Sequence, residues 1–392
     1  MNFQLAERMK SFSSSIFSEL AAYKQELKTE GKEIMDFTIG SPDLPPPLFV
    51  QELISQQALD NLQYGYSLNG TEMFHKAVKN YYNRKYDVSL QLENEILQLM
   101  GSQDALVHLP MVLANPGDIV LVPDPGYTAY ATGIAMAGAV PFYMPLTVDN
   151  GHLPDFTKIP SSIAKKAKIM ILNFPGNPIP VMATKEFFKE AIEFAKKYNV
   201  IIIHDFAYSE LYYSEEKPVS FLSVPGSKDV GIEVNSLSKS FNMAGCRVAY
   251  AIGNNFIINA LKQLKSNLDY GVFYPIQHAA AQALTNGDQF TDNLRLTYKK
   301  RRDCLVEGLN NIGWFIEKPE STMFIWAPIP INMKSQEFAF LLMEKAGVAV
   351  TPGIAFGPSG ENFVRIALVQ EEYIIQKAIE NLRASKILQA PF

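Results

Sequence analysis

A lysine set between serines at the end of an apolar run sits badly in a core and well in a reactive site. In Asn235-Ser236-Leu237-Ser238-Lys239-Ser240-Phe241-Asn242-Met243-Ala244-Gly245-Cys246-Arg247 one amine stands among hydroxyls, and a guanidinium follows eight residues later. The preceding run, Val230-Gly231-Ile232-Glu233-Val234, reads as a strand. An amine kept for Schiff-base chemistry needs a place of this kind, with a serine and an arginine near it to hold an anion. A solvated loop with incidental charges would look similar, so other stretches have to decide.

Four more β-type runs end in polar or ring-bearing groups. Ile96-Leu97-Gln98-Leu99 leads to Gly101, Ser102, Gln103 and Asp104, and Ile119-Val120-Leu121-Val122 leads to Pro123-Asp124-Pro125-Gly126-Tyr127. Ile169-Met170-Ile171-Leu172 ends at Asn173 and Asn177-Pro178, and Val200-Ile201-Ile202-Ile203 ends at His204, Asp205 and Tyr208. Helical patterns separate the runs, which predicts a mainly parallel sheet with crossover helices. The carboxyl ends of such strands gather at one rim, where ligands bind. His204 invites a triad with some serine, but alternation along its strand turns it away from the side Asp205 faces.

In order and spacing these segments resemble those of class I/II aminotransferases, pyridoxal-phosphate (PLP) enzymes of fold type I. The match lies in Gly101-Ser102, Tyr127, Asn173…Asn177-Pro178, Asp205-x-x-Tyr208 and Ser236-x-Ser238-Lys239 with Arg247. Arg365, in Asn362-Phe363-Val364-Arg365-Ile366, is similar to the family arginine that grips the substrate α-carboxylate, a pairing that suits a planar guanidinium better than a lysine. The resemblance implies that Lys239 holds PLP covalently and then moves the Cα proton. Ser102 at a helix start, with Ser236 and Arg247, would hold the phosphate, and Gln103 and Ser238 would also bind the cofactor. Tyr127 would lie against the ring, Asp205 would keep the ring nitrogen protonated, and Asn177 and Tyr208 would bond the phenolic oxygen. Gly40 would let the substrate approach closely, or is a plain turn glycine.

Each group also has a plainer reading: Asp205 as a helix cap, Tyr127 and Tyr208 as packed aromatics, Arg365 as a surface salt-bridge partner. Their joint order favours the site. Two departures from the family pattern stand out. Ile179-Pro180 replaces the usual Thr-Gly after Asn177-Pro178, which bears on the local turn, and Cys246 stands where an aromatic is common.

Positioning these groups requires a chain of more than one ordinary domain, and 392 residues supply it. The composition is 47% hydrophobic and 19% charged, which supports a sizeable core and argues against disorder. A net charge of −5 gives no reason to expect nucleic acid or an anionic membrane as partner. Two widely spaced cysteines, no metal-ligand spacing, no leader-like segment and no run of about 18 apolar residues predict a soluble cytoplasmic protein without a metal.

The segment from Ser13 to Thr29 reads as an amphipathic helix, capped by Ser13 or Ser14 and closed by Gly31. Four prolines between Pro42 and Pro47 mark a linker. The expected division is an arm and part of a small domain at 1–44, a large PLP-binding domain at 45–285, and a small α+β domain at 286–392. The last has strands predicted at Gly313–Ile316, Phe324–Trp326, Val348–Val350 and Phe363–Ile366, and helices at Ser335–Lys345 and Gln370–Lys386.

Tyr64-Gly65-Tyr66-Ser67-Leu68-Asn69-Gly70 resembles the family segment whose tyrosine reaches the neighbouring subunit's cofactor phosphate. That implies a homodimer with shared sites and Tyr66 as the donor. Tyr64 is the alternative, because the spacing to Gly70 is one residue short of the common pattern. Residues 265–280 resemble the subgroup of LL-diaminopimelate, alanine- and aspartate-type enzymes, which points to aliphatic or dicarboxylic substrates, although no second arginine is assignable to a side-chain carboxylate. The expected function is therefore transfer of an amino group from an amino acid to a 2-oxo acid. The alternatives are a PLP-dependent carbon–sulfur β-lyase on the same fold or, from another class, a regulatory module fused to a DNA reader, against which residues 1–40 are short and charge-balanced.

Overall fold

The described residues are 3–12 and 16–389 of a computed structural model, so the proposed caps Ser13 and Ser14 lie outside them. Strands are β1 (Met35–Asp36), β2 (Ile96–Leu99), β3 (Ile119–Asp124), β4 (Val140–Pro145), β5 (Ala167–Asn173), β6 (Ile201–Asp205), β7 (Gly231–Ser236), β8 (Ala249–Gly253), β9 (Phe324–Pro328), β10 (Val348–Ala349), β11 (Thr351–Pro352) and β12 (Phe363–Ala367). The longer helices are α1 (Ile16–Thr29), α2 (Leu48–Gln57), α3 (Glu72–Tyr86), α4 (Ser102–Leu113), α5 (Thr128–Ala137), α6 (Lys185–Tyr198), α7 (Asn255–Lys265), α8 (Tyr274–Asn286), α9 (Asp288–Asn310), α10 (Ser335–Ala346) and α11 (Glu372–Ser385).

Seven strands form the central sheet in the order β2-β8-β7-β6-β5-β3-β4. β8 runs antiparallel to both β7 and β2, while the pairs from β7 through to β4 are parallel. The five strands singled out by their polar ends therefore all point one way, and their carboxyl ends share a rim. Alternation divides each strand between two cores. Leu121, Met170, Leu172, Ile202 and Tyr250 pack with Phe74, Phe188 and Ala280 on one face. Val120, Ile169, Ile171, Ile203 and Val234 pack with Leu109, Tyr130 and Leu261 on the other. A sheet buried on both faces is what near-continuous aliphatic runs produce.

A further core joins α1, α9, α10 and α11 to β9 and β12, and it also takes in Ala207, Tyr208 and Leu211 from the segment after β6. Here one sequence expectation fails. Gly313–Ile316 is not a strand: Trp314 is buried with its Nε1 donating to the Pro328 carbonyl at 2.7 Å, and the Ile316 amide bonds to Asn310 Oδ1 at 2.7 Å, so side chains rather than a ladder hold the segment. β4 and β8 went unread in the sequence. β4 carries Pro141 and Pro145 and is tolerated because it lies at the sheet edge. Among the described residues no helix is long and apolar enough to cross a membrane.

His204 lies on the side of the sheet away from Asp205 and is fully buried. Its Nδ1 is 2.8 Å from Glu233 Oε2, and its Nε2 is 3.0 Å from the Phe174 carbonyl. Glu233 also accepts from Tyr82 Oη at 2.7 Å, from Ser220 Oγ and from the Phe221 amide at 2.8 Å. This is a structural carboxylate. Glu233→Ala would strand several buried donors, each costing about 1–3 kcal/mol, so a clear fall in the urea midpoint is expected. A wild-type midpoint would show that the network carries no stability.

Candidate active site

At the shared rim lies a cavity of about 330 Å³. Of the residues named from sequence, Gly40, Ser102, Tyr127, Asn177, Asp205, Tyr208, Lys239 and Arg365 line it. Each arrives from the end of a strand or from a segment laid across the rim. β7 ends at Ser236, whose Oγ accepts the Ser238 amide at 3.1 Å and starts the short turn that bears Lys239. The partly buried Lys239 donates to the Gly40 carbonyl. Burial, then the neighbouring Arg365 and Arg247 charges, push its amine down to about 8, against the opposing pull of Asp205.

Asp205, at the end of β6, is buried. Its Oδ2 accepts from Tyr130 Oη at 2.9 Å and its Oδ1 from the Ala207 amide at 3.2 Å. Burial raises its carboxyl above the usual range despite these donors. Asn173 spans the neighbouring strand ends, donating to the Asp205 carbonyl at 2.9 Å and accepting the Asn177 amide at 2.9 Å. Arg365, on β12, reaches Asn177 Oδ1 and the Thr38 carbonyl, each at 2.8 Å. It is 4% exposed, its Nε has no acceptor among the described residues, and burial pushes its guanidinium down to about 10. The Tyr208 hydroxyl is likewise raised by burial.

The remaining sequence candidates lie around the cavity rather than in its lining. Ser236 and Ser238 are buried just behind Lys239. Gln103 is exposed, with Oε1 3.4 Å from Tyr127 Oη. Arg247 adopts a left-handed backbone, and its guanidinium presses so closely on Gly101 that a Cβ there would collide with it. Gly101 itself has φ +86°, which favours glycine, whereas the arginine could swing aside. Gly40 meets a different test: an added Cβ would stand 3.8 Å from Arg365, which is ordinary contact. Tyr66 is 78% exposed, outside its own chain's cavity, and its ring lies tilted against Tyr270 with centroids 4.8 Å apart. Tyr64 already spends its hydroxyl on the Ala58 carbonyl at 2.7 Å.

Phe17, Thr38, Thr128 and Phe356 also line the cavity, and Tyr130 stands behind Asp205. None was found from sequence. Only Tyr130, three residues after Tyr127 in a helical register, carried a signal that could have placed it on the same side.

A sequence model described as "Aminotransferase class I and II" matches residues 32–382. This chain belongs to that family. Aminotransferases similar to it include the LL-diaminopimelate aminotransferase of Moorella thermoacetica, 42% identical over 97% of this chain and 98% of that protein. The protein of the same name from Aquifex aeolicus is 40% identical over 98% of this chain and 100% of its own. Among solved structures, substrate-bound BacF from Bacillus subtilis superposes with a TM-score of 0.94 at 37% identity, covering 98% of both chains. A Thermus thermophilus aspartate aminotransferase mutant gives 0.91 at 27% identity, covering 98% and 100%. The architecture is thus that of the fold type I α/β enzymes. The protein is a PLP-dependent aminotransferase that moves amino groups between amino acids and 2-oxo acids, and the β-lyase alternative is not favoured.

The residues present fit the cofactor. A buried carboxylate without a cationic partner, a depressed amine and a guanidinium with an unused donor face one cavity. These are complements to a protonated ring nitrogen, an aldehyde and a carboxylate. In the cofactor-free protein, amine-directed labelling should show Lys239 reacting with a midpoint at pH about 8, against 10.5 for an ordinary lysine. Because the shift is downward, the reactive neutral amine is present above that pH and is lost below it. A midpoint near that of surface lysines would contradict the burial argument.

Proposed function

We propose that this aminotransferase works through Lys239, which carries the cofactor and afterwards takes the proton from the substrate Cα with its Nζ. When bound, PLP supplies the electron sink that makes that proton removable. Support comes from the Lys239 amine at the rim, depressed by burial to about 8 and so available near neutral pH. Arg365, held by Asn177 and the Thr38 carbonyl, offers its guanidinium to the α-carboxylate. Asp205 faces the ring nitrogen and is kept in place by Tyr130. Ser102, Gln103, Ser236, Ser238 and Arg247 surround the phosphate, Tyr127 covers the ring, and Asn177 and Tyr208 address its oxygen. Gly40 borders the substrate and accepts from the lysine.

Borohydride reduction of the holoenzyme followed by peptide mapping should leave the pyridoxyl group on Lys239, and an adduct on Lys262 or Lys265 would refute the assignment. Arg365→Ala should forfeit roughly 2–5 kcal/mol of amino-acid binding, about 30-fold or more in KM, while the cofactor's bound spectrum persists. Unchanged kinetics would remove Arg365 from the site.

The same reading takes the enzyme to be a cytoplasmic homodimer, with residues 45–285 as the large domain and 1–44 with 286–392 as the small one. The separate core of the C-terminal elements supports that division. For the dimer the support is the exposure of several large apolar residues, Leu62, Tyr64, Tyr66 and Tyr270, of the kind that interfaces cover. With its hydroxyl uncommitted, Tyr66 rather than Tyr64 would reach the partner's phosphate. Mixed dimers of Lys239→Ala and Tyr66→Phe chains should then recover activity above either parent, since one site regains both native residues. No recovery despite a clear Tyr66→Phe defect would count against shared sites.

The relatives' name denotes a donor with an ammonium and a carboxylate at its far end. Beyond Asp205, Lys239 and Arg365, which this reading gives to the cofactor and the α-carboxylate, the lining of this cavity offers that end no charged partner among the described residues.

A further inference from the structure

The charged groups that line the cavity are Asp205, Lys239 and Arg365, and the reading above commits all three to the cofactor and the α-carboxylate. What is left for a donor's side chain is a wall of rings. Phe17 from the first turn of α1 meets Phe356 edge to face, with centroids 5.9 Å apart at 83°. Phe356 also lies 4.8 Å from the Arg365 guanidinium, so this wall stands beside the group assigned above to the α-carboxylate. Behind it stand Trp326, 6.1 Å from Phe356, and Phe363 stacked on Trp326 at 5.2 Å. Ile179 joins that cluster at 4% exposure, so the residue that departs from the usual Thr-Gly adds to the apolar packing behind the site.

Outside the cavity, Tyr66 lies tilted against Tyr270, and Lys265 is buried at 1% exposure, held at 2.6 Å by Asp104 and 2.7 Å by Asp269. A distal carboxylate would enter without a counter-charge, whereas an uncharged ring would find edge and face contacts.

We propose that the amino donor carries an uncharged apolar side chain, best an aromatic one, and that Phe17 and Phe356 determine this choice against dicarboxylic and diamino dicarboxylic donors. The proposal rests on the site reading above and turns away from the aliphatic or dicarboxylic expectation of the sequence.

The test is a single-turnover experiment on the holoenzyme without acceptor, following the cofactor absorbance as each donor is added. Phenylalanine should exceed aspartate, glutamate and LL-diaminopimelate in kcat/KM by on the order of a hundredfold. Calorimetry should rank the unreactive 3-phenylpropionate above succinate in affinity. Phe17→Ala should lower the phenylalanine-to-alanine ratio of kcat/KM about tenfold, and Phe17→Arg should raise the aspartate-to-phenylalanine ratio. A charged donor equal to phenylalanine, succinate binding as tightly as 3-phenylpropionate, or an unmoved ratio in Phe17→Ala would overturn the inference. If those results come with the borohydride adduct on Lys239, the substrate class alone is wrong; if the adduct lies elsewhere, the site reading and this inference fail together.

Discussion

Arg365 is a guanidinium withdrawn from water between the rings of Phe324 and Phe356, and no carboxylate answers it among the described residues. Burying a charge in this way is costly, which is why buried charges are normally paired. Here the charge is held by dipoles alone, the amide oxygen of Asn177 and the carbonyl of Thr38. Asp205 and Lys239 repeat the pattern in the same cavity, each shifted toward its neutral form. Three groups that would lose their purpose by pairing with one another are kept apart by strand geometry. The site is therefore held short of its best electrostatic arrangement, and a ligand bearing both signs of charge relieves it. Perturbed titration of this kind is common at functional sites for that reason.

Holding the groups apart takes two sheets with separate cores. The central sheet fixes Asp205 and Lys239, since β6 and β7 are adjacent, parallel and buried on both faces. Arg365 comes from a different sheet, where β12 lies between β11 and β9. The two are joined where Tyr208, one turn beyond Asp205, packs against Phe324 of β9 with centroids 5.6 Å apart. Asn177 then reaches from the rim to Arg365. Some of the contact between the two sheets is thus made at the site itself, so the distance from Lys239 to Arg365 depends on how they pack.

How much of this could be read beforehand follows the same division. Groups at strand ends were legible, because apolar runs fix the strands, parallel order fixes their direction, and each run ends in a residue of distinctive chemistry. Asp205, Asn177 and Lys239 were visible for that reason. Phe17 and Phe356 were not. They lie 339 positions apart in the numbering, in α1 and in a loop beyond β11, and phenylalanine at such positions carries no signal beyond burial. β8 was missed because its run, Ala249-Tyr250-Ala251-Ile252-Gly253, is short and alanine-rich, and its antiparallel direction depends on neighbours that no local pattern reveals. Tyr66 was legible only as a type at a spacing, since the phosphate it would serve belongs to another copy.

The Ile179-Pro180 departure shows why one altered pair leaves the site intact. The turn that presents Asn177 is set by Gly176, where a Cβ would stand 2.6 Å from the Ile179 carbonyl and 2.8 Å from that of Asn173. It is set again by Asn173, whose Oδ1 takes the Asn177 amide. Pro180 lends its carbonyl to Ser321 Oγ at 2.8 Å, so even the residue that cannot donate ties the turn to the neighbouring body. Apart from Asn173 Oδ1, backbone oxygens serve in these contacts, and any residue at 179 and 180 supplies them. The side chain at 179 is thereby released from shaping the turn. Its burial with Leu146, Trp326 and Phe356 makes it part of the apolar backing of the substrate wall. A threonine there would bring a hydroxyl into the same packing and would need a partner for it.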